Sequence, residues 1–151
     1  MQPRMEHPAM TVPDAMAALQ AAAASVRATG LRAELLELVN LRASQINGCS
    51  VCVELHARNL KEAGASDERI FAVAAWRETP YYDEAERAAL ALTEAVTRLS
   101  DRPEPVPDPV WQDAAESFDD KQLAGLVLAI ANINVWNRLN AATGQMAGTA
   151  W

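Results

Sequence analysis

Cysteine is scarce in this chain of 151 residues. Cys49 and Cys52 are the only two, too few for the multiply bridged scaffold of a small secreted domain. Lysine is equally rare, at Lys61 and Lys121, the arginines are scattered, and the net charge is −7. Phosphate binding calls for clustered Lys and Arg, so this balance argues against a nucleic-acid partner. Aromatic residues make up 5% of a chain that is 50% hydrophobic, and alanine is abundant, a mix that favours helices packed closely through small side chains. No run approaches the ~18 apolar residues of a membrane span, so no membrane partner is expected. The Ala-rich stretch 15–26 is interrupted by Gln20 and preceded by Asp14, and reads as a helix rather than a secretory leader. A cytoplasmic setting follows, in which two cysteines rest reduced.

What is present is helical throughout. At this length the chain is one domain that buries roughly 70% of its unfolded surface without a disulfide or structural metal. Residues 1–12 read as a flexible tail, and residues 13–151 as a single all-α domain of about seven helices. The expected helices are 13–28, 31–46, 49–63, a short one from Ser66 or Asp67 to Trp76, 83–99, 108–117, and a long one after Asp119. Gly64 suits a helix C′ position. Asp83 with Glu86, and Asp119 with Gln122, have the spacing of capping boxes. Residues 100–109 form the one Pro-rich linker, and Asp108 before Pro109 marks a helix start. No internal repeat and no strand pattern is present.

The chemistry is concentrated in the run Asn47-Gly48-Cys49-Ser50-Val51-Cys52-Val53-Glu54-Leu55-His56. On a helix, offsets of three and four residues stack Cys49, Cys52 and His56 along one face. A thiol at a helix N-terminus meets free N–H groups and the positive end of the dipole, both of which favour the nucleophilic thiolate. A second cysteine three residues on can resolve an oxidised first one, and His56 lies one turn after Cys52 to relay its proton. Blander readings compete: two core thiols on an amphipathic helix, a zinc site short of a fourth ligand, or a thioredoxin-like motif with no strand before it. The dipole favours Cys49 as the more acidic thiol, whereas the spacing to His56 favours Cys52.

Residues 37–98 resemble the alkyl hydroperoxidase D-like branch of the carboxymuconolactone decarboxylase superfamily. Its pattern is Glu, eleven residues, Cys-x-x-Cys, three residues, His, and Glu37, Cys49, Cys52 and His56 meet it without a gap. Similar flanks include Ile46-Asn47-Gly48, Ala74-Ala75-Trp76-Arg77-Glu78-Thr79-Pro80 and Asn134-Val135-Trp136-Asn137-Arg138. The resemblance implies a helical homo-oligomer, a trimer or hexamer, with thiol peroxidase activity and no metal or other cofactor. It implies Cys52 as the thiol that attacks an organic hydroperoxide, Cys49 as its resolving partner, and Glu37 with His56 as a proton relay. The reductant would be a dithiol such as a lipoylated carrier protein. Some relatives carry a second histidine between the cysteines, where this chain has Val51.

Three expectations rest on weaker signals. Periodicity alone does not select Glu37, which falls on the polar side of its helix, while Glu34 between Leu38 and Leu41 looks more buried. Trp111, Trp136 and Trp151 read as core or subunit-contact residues rather than ligand stackers. Asn134, Asn137 and Asn140 share a face at offsets of three, as a polar seam or an oligomer contact. Rival functions are an oligomeric redox sensor or binding protein and, on the same fold, a decarboxylase acting on a carboxylated lactone.

Overall fold

The computed structural model describes residues 2–101 and 103–148. Among them the chain forms eight α-helices, α1 Pro8–Thr11, α2 Ala15–Arg27, α3 Ala33–Asn47, α4 Ser50–Glu62, α5 Asp67–Ala72, α6 Glu84–Thr97, α7 Asp108–Ser117 and α8 Asp120–Thr143. Two 3₁₀ segments, Val73–Glu78 and Leu99–Asp101, follow α5 and α6. All seven expected helices are present. The helix expected to run to Trp76 tightens into 3₁₀ geometry after Ala72, with Ala75 leaving helical backbone at φ −120° and ψ 29°.

The segment expected as a tail carries ordered contacts. Its Arg4 N–H donates to the Thr143 carbonyl at 2.8 Å, and His7, 3% exposed, caps α1 and stacks on Trp136.

Local chemistry sets the helix ends. Both capping boxes form: Asp83 and Glu86 exchange side-chain-to-backbone bonds of 2.8 and 3.0 Å, and Asp119 and Gln122 bonds of 2.8 and 3.2 Å. Gly64, at φ 91°, closes α4 as expected. Helix α7 begins at Asp108 with Pro107 as its cap, one residue ahead of the expected register.

Leucines then join the helices. Val26, Leu35, Leu92, Leu126 and Ile130 form a core between α2, α3, α6 and α8, and Leu38, Leu41, Leu60 and Leu90 form a second between α3, α4 and α6. Each fully buried leucine of this kind stabilises the fold by roughly 1.5–3 kcal/mol. Helix α3 belongs to both cores and is the rigid axis on which the site is built.

Two ion-pair clusters lock α3 in place. Glu94 of α6 accepts from Arg42 of α3 at 2.7–2.8 Å, from the Trp76 indole at 3.0 Å and from Arg77 at 2.6 Å. Desolvation raises the Glu94 carboxyl, but these donors outweigh it and hold the group below its ordinary value. Arg69 of α5 bridges Glu34 and Glu86, each at 2.8 Å. Glu34 is thereby drawn to the surface cluster and its side chain is 33% exposed, against 24% for Glu37. The expectation that Glu34 is the more buried acid is corrected by this arginine, which lies 35 residues away in sequence.

Candidate functional site: a thiol pair beside a Glu–His pair

The turn between α3 and α4 is made by Gly48 at φ 67°, where an L side chain is strained. It closes a Schellman motif in which the Cys49 N–H donates to the Ser44 carbonyl at 3.0 Å and the Gly48 N–H to the Gln45 carbonyl at 3.4 Å. Cys49 thus ends one helix and begins the next. As the N-cap of α4 it uses Sγ where a Ser or Asp oxygen is usual, accepting the Cys52 N–H at 3.3 Å.

Both thiols are unbridged and buried, at 3% and 4% exposure. A hydrogen bond from the Cys52 thiol pushes Cys49 down to about 6 against the opposing effect of burial, helped by the Cys52 N–H and the amides of Asn140 and Asn137. Cys52 is pushed up in turn, because it donates that bond, is desolvated and faces the charge on Cys49. The two therefore titrate as a unit that gives up its first proton easily and its second with difficulty. The dipole argument from sequence, which favoured Cys49 as the acidic thiol, agrees with this geometry.

Glu37 and His56 meet across the α3–α4 interface, Glu37 Oε2 lying 2.7 Å from His56 Nδ1. The Asn59 amide donates to the same oxygen at 3.1 Å and fixes the carboxylate in place. The arrangement leaves the other imidazole nitrogen free of Glu37, the usual way a carboxylate orients a working histidine. A cavity of about 700 Å³ opens here, with Glu37, Cys52, His56, Asn140 and Trp136 in its wall. Cys52 lines it and Cys49 does not. The more acidic thiol and the one that lines the cavity are therefore different residues. Met16, Val51, Leu55, Ile133 and Met146 supply apolar parts of the wall, alongside Arg27, Glu54 and Arg58. Among the described residues no group of three or more His, Cys, Asp or Glu is arranged to hold a metal ion.

Three asparagines of α8 face inward beside the thiols, and of these only Asn140 lines the cavity. Asn134, Asn137 and Asn140 are 8%, 1% and 3% exposed. The Asn47 amide donates to both Asn134 Oδ1 and Asn137 Oδ1 at 2.9 Å, and Asn137 donates to Ser44 Oγ at 3.0 Å. Asn140 Nδ2 reaches the sulfurs, 3.2 Å from Cys52 and 3.5 Å from Cys49. The seam foreseen in the sequence is thus an intramolecular one that ends at the thiols.

Asn47 and Asn59 were not given a role by sequence reasoning. The offset of three from His56 to Asn59 was a usable signal, whereas nothing local marked the role of Asn47. Trp136 is half-buried, packs against the core cluster of Ala43, Cys49, Cys52 and Ile133 and also lines the cavity, while Trp111 is 44% exposed. Trp151 lies outside the described residues.

A model of the carboxymuconolactone decarboxylase family matches residues 13–95, a span that includes Glu37, Cys49, Cys52 and His56. The uncharacterized protein YdfG of Bacillus subtilis is 37% identical over 113 residues, 75% of this chain and 76% of its own length. An Agrobacterium tumefaciens protein of unknown function, whose description proposes an antioxidant defence protein, AhpD, has a crystal structure that superposes with a TM-score of 0.90. It is 32% identical and covers 99% of this chain and 100% of its own. The debrominase Bmp8, solved with 2,3,4-tribromopyrrole, shares the fold at a TM-score of 0.76 and 20% identity, over 91% of this chain and 73% of its own. The chain belongs to the carboxymuconolactone decarboxylase family and has the alkyl hydroperoxidase D-like helical fold.

Proposed function

We propose that this protein is a thiol peroxidase that reduces organic hydroperoxides through Cys52 and Cys49. In this reading Glu37 and His56 are the proton relay, and a dithiol such as a lipoylated carrier protein is the reductant. One observation carries it: the Cys52 thiol and a hydrogen-bonded Glu–His pair line one cavity, and a second thiol, Cys49, accepts the Cys52 N–H next to it. Family membership and the AhpD-like neighbour support an antioxidant role. We place the enzyme in the cytoplasm as a homo-oligomer, a trimer or hexamer.

The resting pair carries one proton, shared between Cys52 and the Cys49 thiolate. Transfer of that proton to Cys49 leaves the charge on Cys52, facing the cavity. The Cys52 thiolate attacks the distal peroxide oxygen. The S–O bond forms as the O–O bond breaks, and the alkoxide takes a proton from His56 to leave as the alcohol. Cys52 is then a sulfenic acid, oxidised by two electrons. His56 accepts the Cys49 proton, and the Cys49 thiolate attacks Cys52 Sγ. An S–S bond forms, the S–O bond breaks, and hydroxide leaves as water with the proton from His56. The external dithiol exchanges with this disulfide, is itself oxidised, and restores both thiols.

The test is stopped-flow oxidation of the reduced protein by cumene hydroperoxide, followed by turnover with dihydrolipoamide. Wild type should oxidise rapidly and turn over; Cys52→Ser should do neither. Cys49→Ser should undergo one oxidation and stall at sulfenic acid. Loss of that first event in Cys49→Ser would reverse the two roles. Rapid oxidation with no turnover favours a redox sensor, and no reaction above free-thiol background removes the peroxidase reading.

A further inference from the structure

Three asparagines of α8 face inward, and two are used as structural side chains are expected to be. Asn134 donates to Thr97 Oγ1 and the Ile130 carbonyl, and its Oδ1 accepts from Asn47 and Arg138. Asn137 donates to Ser44 Oγ, and its Oδ1 accepts from Asn47. Asn140 differs from both. It is 3% exposed, its Nδ2 donates to the two sulfurs, and its Oδ1 has no hydrogen-bond partner among the described residues. A carboxamide retained to tie the fold together would have its buried acceptor satisfied. This one touches the reacting atoms and lines the cavity.

The geometry points to Asn140 as a catalytic residue whose amide donates to whichever sulfur of the pair carries negative charge, first Cys52 during attack on the oxidant, then Cys49 during disulfide closure. This rests on the redox reading above, but not on hydroperoxide being the oxidant. The NH₂ group has two N–H bonds, and its nitrogen lies 3.2 and 3.5 Å from the two sulfurs. It can therefore follow the charge from one to the other without reorienting. Hydrogen bonds to charged acceptors are about twice as strong as neutral ones, so the contact gains strength as each thiolate forms. Its placement is fixed by Ser44, which accepts Asn137 at Oγ one turn before Asn140 and accepts the Cys49 N–H at its carbonyl. One α3 residue thereby sets both the donor and the thiol.

The experiment compares wild type with Asn140→Ala and with Asn140→Leu, which nearly keeps the volume, adds no charge and lacks the donor. Thiolate absorbance is titrated against pH, and alkylation by iodoacetamide is timed at pH 5.5. Loss of the donor should raise the first midpoint by about one pH unit and slow alkylation nearly tenfold in both variants. In the wild-type protein, the Asn140 side-chain NH₂ resonance should move with that same midpoint. Unchanged titration in folded variants overturns the proposal, and so does a resonance indifferent to the thiols, whether or not the variants fold. If the peroxidase reading alone fails, hydroperoxide is not consumed but the midpoint still shifts. If this inference alone fails, Asn140→Ala reduces hydroperoxide at the wild-type rate.

Discussion

Cys52→Ala should move the Cys49 thiol from about 6 back toward the ordinary thiol range. The largest influence holding Cys49 down is the hydrogen bond from the Cys52 thiol, ahead of the Cys52 N–H and the Asn140 and Asn137 amides. Losing one hydrogen bond to a charged group costs about 1.5–3 kcal/mol, equivalent to roughly one to two pH units. Cys52→Ala should therefore titrate between about 7 and 8, the surviving N–H bond keeping it below an unperturbed thiol. Cys52→Ser retains a hydroxyl donor and should stay near the wild-type value. The assay is thiolate absorbance at about 240 nm against pH, cross-checked by the pH dependence of alkylation. Stability carries the same signature. The folded value is depressed from 9.0 to about 6, so the contribution is lost as pH falls through 6 and is complete only above 9. It reaches at most about 4 kcal/mol, and the raised Cys52 thiol opposes it at still higher pH. A Cys52→Ala protein that still titrates near 6 refutes the shared-proton account, and a wild type that titrates only near 9 removes it altogether.

Three further substitutions separate chemistry from architecture. Glu37→Gln removes the charge beside His56 and should slow oxidation by hydroperoxide roughly a hundredfold while leaving oxidation by diamide unchanged; equal hydroperoxide rates would make Glu37 a bystander. Gly125→Ala adds a Cβ that would lie 2.6 Å from Thr29 Oγ1. The overpacking cost of ~1–3 kcal/mol should exceed the helix-propensity gain of about 1 kcal/mol, so urea denaturation should show net destabilisation that Thr29→Ala reverses. Glu94→Ala leaves Arg42, whose side chain is 11% exposed, without its anion. It should cost ~3–5 kcal/mol in the same assay, and a loss below 1 kcal/mol would count against the role assigned to this cluster.

The features legible in the sequence are those decided by neighbours along the chain. Asp83 with Glu86 and Asp119 with Gln122 form their boxes because donor and acceptor lie within one turn. Gly48 and Gly64 sit where a positive φ is required. Cys49 and Cys52 are adjacent through helix geometry alone. Glu37 is a different case: its helical phase points toward the polar side, and only the family spacing marks it, because its partners His56 and Asn59 belong to another helix. Asn47 stood out only within the family-like flank Ile46-Asn47-Gly48, and its role did not, since its contacts are Asn134 and Asn137, 87 and 90 residues away.

By itself the sequence determined an all-helical chain, the ends of its helices and a thiol pair at the start of one of them, since each depends on side chains within a turn or so of one another. Only the packing of α3 against α4 and α8 decided which carboxylate meets His56, which thiol faces the cavity and which amide reaches the sulfurs. Burial, hydrogen-bond partners and shared protons are properties of surfaces brought together from distant parts of the chain, and no local pattern encodes them.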